Sequence, residues 1–363
     1  MPSVVHIVTT NEFAGVERYV CNTATELTRR GWDVTVVGGH PRHMREALAE
    51  DVAWLPGATP TQALRSLAKL GKQDICHAHM TVAEAVAIAA KPLHGAVTVS
   101  TRHFGARRGS SIMGRLLAPL ISAVLDRQIA VSNFVAARIE RAPDAVVRNG
   151  ISPLPQVWQP SNRVVLVLQR LEREKDTLTA LRAWKQSRLF EEGWSLRVVG
   201  EGAERAKLEE WVTANRVSGV VFAGQTLDVE SEFARAGILL APGQSDSFGF
   251  GVVEAMSAGV PVVASAAGGH LETVGQIAEA PLFPPGDADA AAAALRALVS
   301  EERRTALSSA GRELAFEEFT IDRHVTGLLV EYEAALRAAR QRSPSKSSME
   351  TEHLRRSARV EHQ

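Results

Sequence analysis

Short apolar runs alternate with helical segments along most of this chain, and this alternation limits the folds that it can adopt. Residues 4–8, 32–37 and 96–100 each have the length and apolar content of a buried strand, and helical periodicity separates them. The same alternation resumes at residues 164–168 and 196–199. Strands that alternate with helices form βαβ units, in which helices cover both faces of a parallel sheet. The sequence therefore predicts an α/β fold with mostly parallel sheets.

A proline-containing segment divides the alternation into two series. Residues 150–162 contain three prolines and lack apolar periodicity, which is typical of a linker. We expect two Rossmann-like domains, residues 1–150 and 151–320, that face each other across a cleft. Ligands of such domains bind at the carboxyl ends of the strands. Residues 341–363 have no apolar period, and we expect them to form a disordered tail.

The composition argues against several classes of protein. Lys plus Arg and Asp plus Glu both number 41, so the formal net charge is zero, which disfavours a nucleic-acid partner. The longest apolar run, residues 116–125, is far shorter than a bilayer span, and no basic-then-apolar leader opens the chain. Because only two cysteines occur, a disulfide framework is excluded in practice, and the expected location is a reducing cytoplasm.

Residues 242–265 combine a loop of small residues, a helix start, a Gly-Val-Pro stop and an apolar strand. This order is typical of an α/β sheet whose ligand lies at a helix N-terminus. Two carboxylates, Asp246 on the loop and Glu254 on the helix, could face one cleft. A pair of acids could indicate a glycosidase. The candidate phosphate-binding residues elsewhere in the chain favour nucleotide-sugar binding instead.

The candidate phosphate-binding residues follow two of the predicted strands. Gly15 lies in the first strand-to-helix loop, where its amide could approach an anion, although a plain turn glycine is equally consistent. Arg170 and Lys175 follow residues 164–168. The planar guanidinium of an arginine beside the compact ammonium charge of a lysine suits a diphosphate. The alternative is a solvated charged loop, since acidic residues lie among them.

Two segments that contain histidine allow more than one interpretation. His103 follows a strand end in a loop that opens toward the expected cleft, so functional and structural roles are both reasonable. Cys76, His77 and His79 could suggest a metal site. No second cluster has ligand spacing, however, and we predict a structural role and no metal.

A basic patch is predicted beyond His103. It contains Arg107, Arg108 and Arg115, together with Phe104 and Ile112. The patch is either a solvated loop or a docking surface for an anionic acceptor or an acidic membrane. Peripheral contact with the inner face of the cell membrane therefore stays open.

Ten segments form an ordered set of motifs: NEFAGVERYV, DICHAH, VSTRHFG, IAVSNFV, VVRNGI, LQRLEREKD, LRVVGEGAE, VVFAG, DSFGFGVVEAMSAGVPVVAS and GGHLETV. Taken in this order, they resemble the motifs of the GT-B-fold retaining glycosyltransferases of family 4. The chain departs from the family pattern at Ala14, Gln169 and Asp176, where the family has glycine. It departs again at Asp246, where the family has glutamate.

The resemblance implies the GT-B fold, in which two Rossmann-like domains face a central cleft, and it implies how the donor is held. Gly15, Arg170 and Lys175 would bind the donor diphosphate. Glu254 would bind the hydroxyl groups of the nucleotide's ribose.

The resemblance also implies how the reacting sugar is held. Asp246 and the backbone of Phe248 and Gly249 would bind the transferred sugar, and His103 would lie beside the reaction centre. A helix within residues 321–340 would cross back and pack on the first domain.

The function implied is a retaining, metal-independent transfer of a sugar from a UDP- or GDP-sugar to an acceptor hydroxyl, with no cofactor. It would serve glycan, glycolipid or secondary-metabolite biosynthesis, and the acceptor could be anionic or lipid-linked. Two alternatives stay open: a sugar-nucleotide-binding protein that has lost activity, and a GT-B-fold nucleotide-sugar epimerase. The donor base, the sugar, the acceptor and the oligomeric state also stay open.

Overall fold

The computed structural model describes residues 1–108, 112–226 and 228–342, with the backbone alone for residues 112–117. Within these residues the chain forms two parallel β-sheets. The prediction of an α/β fold with two Rossmann-like sheets is confirmed. No helix in the described part of the chain has the length and apolar character needed to cross a membrane.

The first sheet has seven strands in the order β3-β2-β1-β4-β5-β6-β7. All of its neighbouring strands run parallel. The strands are β1 (Ser3–Val8), β2 (Asp33–Gly38), β3 (Ala53–Leu55), β4 (Ile75–His79), β5 (Val97–Arg102), β6 (Arg127–Ala130) and β7 (Ala145–Val146).

The second sheet repeats this order with six strands, β10-β9-β8-β11-β12-β13. Its strands are β8 (Val164–Leu168), β9 (Ser195–Val199), β10 (Val220–Gly224), β11 (Ile238–Ala241), β12 (Val262–Ser265) and β13 (Leu282–Phe283). In each sheet the order reverses beside the first strand, between β1 and β4 and between β8 and β11. The loops that leave these strands open a crevice at the carboxyl edge, where α/β proteins bind ligands.

Thirteen α-helices connect and cover the strands within the described residues. Seven lie before residue 150 or, like the last helix, return to the first sheet, and with that sheet they form the first half of the molecule. They are α1 (Gly15–Arg29), α2 (Pro41–Ala47), α3 (Pro60–Leu70), α4 (Thr81–His94), α5 (Ile112–Val124), α6 (Asn133–Ala136) and α13 (Ile321–Arg342). Six cover the second sheet: α7 (Thr177–Ser187), α8 (Arg205–Ala214), α9 (Val229–Arg235), α10 (Phe250–Ser257), α11 (Ala288–Ala297) and α12 (Glu301–Glu318).

The chain passes between the two halves twice, and the two crossings lie side by side. The Ile151 amide donates to the Phe319 carbonyl, and the Ile321 amide donates to the Ile151 carbonyl, both at 2.8 Å. Gly150 lies so close to the Thr320 carbonyl that a side chain there would overlap it. The division of the chain at residues 150 and 320 stays a prediction.

The last helix of the described residues, α13, returns to the first sheet. Five of its side chains belong to the buried core of that half: Ile321, Val325, Leu328, Tyr332 and Ala335. The helix predicted within residues 321–340 is therefore present and ends slightly later, at Arg342. Of the expected tail, residues 343–363 lie outside the described residues, whereas residues 341 and 342 belong to α13.

Helix α12 was not predicted from the sequence. It is 18 residues long, and its buried positions are occupied by Arg304, Ser308, Gly311 and Ala315. These side chains are small or polar, so they produce no apolar periodicity. The helix packs closely on α10 because small residues let two helix backbones approach.

Candidate functional site

The loops after β8 and β11 bring a lysine and an aspartate together at the crevice of the second sheet. Lys175 ends a short 3-10 turn, Arg173–Lys175, and its Nζ lies 2.6 Å from Asp246 Oδ2. Both side chains are about one fifth exposed. Burial by itself would raise the pKa of Asp246. The Lys175 ammonium, His270 and a hydrogen bond from the Gly249 amide outweigh burial and lower the pKa of Asp246 below its ordinary value.

Two departures from the family pattern stabilise this arrangement. The Gln169 side-chain amide donates to the Lys175 carbonyl and to Thr177 Oγ1, both at 2.9 Å. Asp176 adopts the left-handed conformation, with φ of 47°, which aspartate tolerates better than most residues. The Asp176 carboxylate accepts a hydrogen bond of 2.7 Å from Gln244, which belongs to the loop that carries Asp246. Where the family has glycine, Gln169 therefore stabilises the loop that carries Lys175, and Asp176 connects this loop to the one that carries Asp246.

The loop from Asp246 to Gly249 leads directly into α10. Gly249 precedes the helix in the left-handed conformation, with φ of 88°. Phe248 is buried against Phe250 and Phe319, which fixes the backbone between the carboxylate and the helix. The Gly269 amide donates to the Asp246 carbonyl at 2.7 Å. The predicted sugar-binding loop is thus held by contacts on both sides.

Glu254 lies on α10 and faces the first half of the molecule. Its Oε1 is 3.8 Å from an Arg18 nitrogen, and Arg18 belongs to α1, so this ion pair crosses the cleft. Burial raises the pKa of Glu254, and the positive charge of Arg18 opposes that shift. Gly15 begins the same helix α1, and a side chain added there would meet no atom within 4 Å.

Arg170 is not brought to the Lys175–Asp246 pair. Its side chain is 60% exposed, and it forms an ion pair of 2.9 Å with Glu174 in its own loop. That Arg170 and Lys175 bind one diphosphate stays a prediction.

His103 follows β5 and belongs to a buried polar cluster. The cluster consists of five histidines and both tyrosines of the chain, namely His6, His77, His79, His103, His324, Tyr19 and Tyr332. His103 Nε2 lies 3.0 Å from His79 Nδ1, and Tyr19 packs edge-on against the His103 ring. Burial lowers the pKa of His103 to about 3, so its imidazole is neutral at neutral pH.

The same cluster contains three histidines whose spacing would suit a metal. One nitrogen each from His6, His77 and His79 lies within 4.8 Å of the others. Both nitrogens of His77 already have partners at 2.7 Å, the hydroxyls of Tyr332 and Thr101. These contacts agree with the structural role predicted for His77 and His79, and the prediction that no metal takes part stays a prediction.

The predicted basic patch is wrong for one of its members. Arg108 is buried, and its guanidinium forms ion pairs with Glu84 and Glu140. A buried arginine needs such partners because the desolvation of its charge is costly. Arg107 and Phe104 are exposed, whereas the side chains of residues 112–117, including Arg115, lie outside the described residues.

Sequence reasoning missed the contacts that join the two halves across the cleft. The Glu272 carboxylate accepts hydrogen bonds from the backbone amides of Asn133 and Phe134, at 2.8 and 2.6 Å, at the start of α6. Ser132 Oγ donates to the Ser247 carbonyl at 2.7 Å, inside the loop that carries Asp246. Ser132 Oγ also accepts from the Val135 amide, as a helix N-cap does. Glu272 lies in the GGHLETV motif and had no assigned role. That motif could have suggested it as the partner of the α6 start.

Comparison with known proteins places this architecture in a family. A model described as Glycosyltransferase Family 4 matches residues 13–153, and one described as Glycosyl transferases group 1 matches residues 155–314. A 2-deoxystreptamine glucosyltransferase of Streptomyces kanamyceticus is 33% identical over 205 residues, 55% of this chain. The chain spans only about half of that relative's length, 52%.

Longer but weaker similarities extend over nearly the whole chain. A glycogen synthase of Mycobacterium tuberculosis is 28% identical and is matched over 91% of this chain and 93% of its own length. The solved structure of HepE from Anabaena superposes with a TM-score of 0.74 at 19% identity, over 90% of this chain and 99% of that one. With the two family models matched in tandem along residues 13–314, the chain belongs to the GT-B-fold glycosyltransferases of family 4.

Proposed function

We propose that the protein transfers a sugar from a nucleotide-diphosphate donor, a UDP- or GDP-sugar, to an acceptor hydroxyl. The transfer would retain the anomeric configuration and use no metal or cofactor. The observation that carries the proposal is the contact of 2.6 Å between Lys175 and Asp246 at the switch point of the second sheet. Structures of the HepE neighbour contain UDP and UDP-glucose, and one relative is a GDP-mannose-dependent mannosyltransferase, which supports a donor of this class.

The contacting pair fits the junction between a phosphate and a sugar. The Lys175 ammonium would bind a phosphate oxygen, and the ionised Asp246 carboxylate would accept hydrogen bonds from sugar hydroxyls. Since the two groups touch, they would bind adjacent parts of one donor. Backbone groups of Phe248 and Gly249 would complete the sugar site.

The remaining donor contacts require small rearrangements. Arg170 would leave Glu174 for the diphosphate, at low cost because an exposed ion pair contributes roughly 0–1 kcal/mol. The Gly15 amide at the start of α1 would add a hydrogen-bond donor and the positive end of the helix dipole. Glu254 would exchange its long contact with Arg18 for the ribose hydroxyls.

The chemistry follows from where charge develops. As the bond between the sugar and the phosphate breaks, negative charge grows on the leaving phosphate, and Lys175 and Arg170 stabilise it. The acceptor oxygen attacks on the same face and forms the new bond to the anomeric carbon. Its proton passes to the leaving phosphate, so no protein base is needed. A histidine with the lowered pKa of His103 would be a poor base, which is consistent with this route.

The acceptor is proposed only as a molecule with a free hydroxyl. The exposed arginine patch that favoured an anionic or membrane-bound acceptor loses Arg108 to a buried ion-pair network. Closure of the two halves about residues 149–151 and 319–321 would exclude water during transfer.

The proposal is tested with a panel of UDP- and GDP-sugars. A true donor should raise the unfolding temperature of the wild-type protein by mass action. Lys175→Met should weaken binding of that donor at least about tenfold, because a charge-assisted hydrogen bond contributes roughly 1.5–3 kcal/mol. Lys185→Met, at an exposed lysine on α7, is the matched control and should bind like wild type. Equal donor affinity in all three proteins would refute the site.

Product analysis then tests the reaction itself. NMR of the product should show the anomeric configuration of the donor, and EDTA should leave the rate unchanged. Inversion or metal dependence would contradict the mechanism. Donor binding without turnover would favour the binding-protein alternative, and conversion of the donor alone would favour the epimerase.

A further inference from the structure

Three histidines of the buried cluster form a single hydrogen-bonded row that ends at the cleft. His6 Nδ1 lies 2.9 Å from His79 Nε2, and His79 Nδ1 lies 3.0 Å from His103 Nε2. His6 and His79 are completely buried, whereas His103 keeps 7% of its surface exposed at the carboxyl edge of the first sheet. The row therefore runs from the centre of the sheet to the residue proposed to lie beside the reacting sugar.

All three rings are neutral, and this restricts where their protons lie. Burial lowers the pKa of His6 and of His103 to about 3, and it lowers the pKa of His79 well below 6.5. A neutral imidazole carries one N–H and one lone pair. Each ring in the row must therefore donate in the same direction as its neighbour. Only two arrangements of the protons satisfy both hydrogen bonds.

The two arrangements differ at the ends of the row. If the protons point inward, His6 carries its proton on Nε2, which is buried and has no hydrogen-bond partner among the described residues. If the protons point outward, His6 Nε2 carries only a lone pair, and His103 carries its proton on Nδ1. Buried donors without acceptors are rarer in proteins than under-used acceptors. The outward arrangement is therefore favoured.

A neighbouring histidine shows how this cluster sets tautomers. His324 Nδ1 lies 2.7 Å from the Arg148 carbonyl, which can only accept, so the proton must lie on Nδ1. The other nitrogen, Nε2, then accepts from the Tyr19 hydroxyl at 3.0 Å. Tyr19 packs edge-on against both His79 and His103 and so supports the two rings that are joined by a hydrogen bond. Packing and hydrogen bonds together leave His103 little freedom to turn.

We propose that His79, supported by His6, is a positioning residue that fixes His103 as the Nδ1-protonated tautomer. This rests on the proposed function, in which His103 lies beside the sugar. His103 then presents an N–H and no lone pair to the cleft. It can donate a hydrogen bond to a substrate oxygen but cannot take a proton from the acceptor. The row thereby excludes His103 as the base, as a reaction in which the leaving phosphate takes the proton requires.

The first test uses the wild-type protein labelled with ¹⁵N-histidine. Long-range ¹H–¹⁵N correlation spectra at pH 7.5 distinguish a protonated Nδ1 from a protonated Nε2, and His103→Gln identifies the His103 signals. We expect His103 to carry its proton on Nδ1, with the same spectrum after EDTA treatment. A proton on Nε2 of His103 would overturn the proposal. Signals that change when EDTA is added would overturn it as well, in favour of a metal at His6, His77 and His79.

Three variants then test the effect on turnover. His79→Leu removes the donor to His103 and should lower kcat about tenfold, the equivalent of one ordinary hydrogen bond at the transition state. His79→Asn keeps an N–H donor near the Nδ1 position and should recover kcat to within about threefold of wild type. Tyr332→Phe is the matched control, because it removes a buried hydroxyl from His77 but none from His103.

The outcomes separate the positioning role from stability and from the proposed function. If His79→Leu and Tyr332→Phe lower kcat equally, the effect is structural and the proposal fails. If His79→Leu does not fold, the spectra of the wild-type protein still decide the tautomer. If no sugar nucleotide turns over, the proposed function fails while the tautomer of His103 can still be read.

Discussion

Two adjacent glycines lie against the backbone of the loop that holds Asp246. A side chain at Gly268 would overlap the Asp246 carbonyl, and one at Gly269 would overlap the backbone of Phe248. Gly268 also has a positive φ of 58°. These positions therefore need glycine so that the two segments can touch, and the contact sets where the Asp246 carboxylate lies.

Substitution of one of these glycines should lower the rate of the reaction more than it lowers the stability of the fold. Gly269→Ala should displace the loop by about an ångström or more, and a misplacement of that order can cost about a hundredfold in rate. Gly311→Ala on α12 is the matched control, since its added methyl would make only ordinary contacts, 3.5 Å or more from Met256 and Ile277. Steady-state kinetics with the donor found in the panel, together with thermal unfolding, measure both effects. Equal kinetics in the two variants would contradict this account.

Single residues were predicted more reliably than their partners. Lys175 and Asp246 were both identified from motifs, but their contact was not, because 71 residues separate them and only the strand order brings them together. Arg108 was placed in an exposed patch because its partners, Glu84 and Glu140, come from other parts of the chain. A sequence pattern reports residue type and local spacing, and neither determines which charges meet.

At the scale of elements, the short helix α6 is held by a residue from the other half. Three nitrogens at its start, the Asn133 and Phe134 amides and the Asn133 side chain, donate to Glu272. A carboxylate at a helix start satisfies amides that have no partner within the helix. This contact and the bond from Ser132 to Ser247 hold the cleft in its present width.

Removal of the carboxylate should open the cleft. Glu272→Ala should destabilise the present arrangement of the two halves by about 1–2 kcal/mol, the usual effect of losing a helix cap. Small-angle X-ray scattering should show a larger radius of gyration, and the KM for the donor should rise. Glu317→Ala, at an exposed carboxylate on α12, should change neither quantity. An unchanged radius and KM in the Glu272 variant would show that other contacts control the width.

The elements that were predicted are those with a periodic apolar face. The strands β8 and β11 are continuous apolar runs, and the apolar run of β1 is interrupted only by His6. These strands and the loops that follow them could therefore be anticipated. Helix α12 could not, because it buries small and polar residues, and β3 and α2 are too short to show a period. The family motifs located the remaining loops of the candidate site.

At the scale of the molecule, the buried histidines should make the first half sensitive to acid. Burial lowers the pKa of all five, with His6 and His103 at about 3 and His324 at about 4. The unfolded chain takes up these protons near pH 6.5, whereas the folded chain does not. Stability is therefore greatest above pH 6.5 and falls as the pH drops toward 4, by about 1.4 kcal/mol per pH unit for each histidine.

This loss of stability at low pH should be confined to the first half of the molecule. His270 is the only histidine between residues 151 and 320, so the second half has far fewer histidine protons to gain. Native-state hydrogen exchange, corrected for intrinsic rates, would give the free energy of opening for each half at pH 7.5, 6.0 and 5.0. We expect the first half to lose stability earlier and more steeply. Parallel loss in both halves would indicate that the histidine cluster is not the cause.

The return of α13 to the first sheet has a consequence for how the chain is made. Ribosomes release the amino-terminal part first, and domains generally fold as units during synthesis. The strands of the second sheet all lie between Val164 and Phe283, so that half can finish folding as soon as its own residues emerge. The first half lacks Leu328, Tyr332 and three further core side chains until α13 has been synthesised. The first sheet is therefore synthesised before the second sheet but completed after it, and in the interval it exposes the face that α13 will cover.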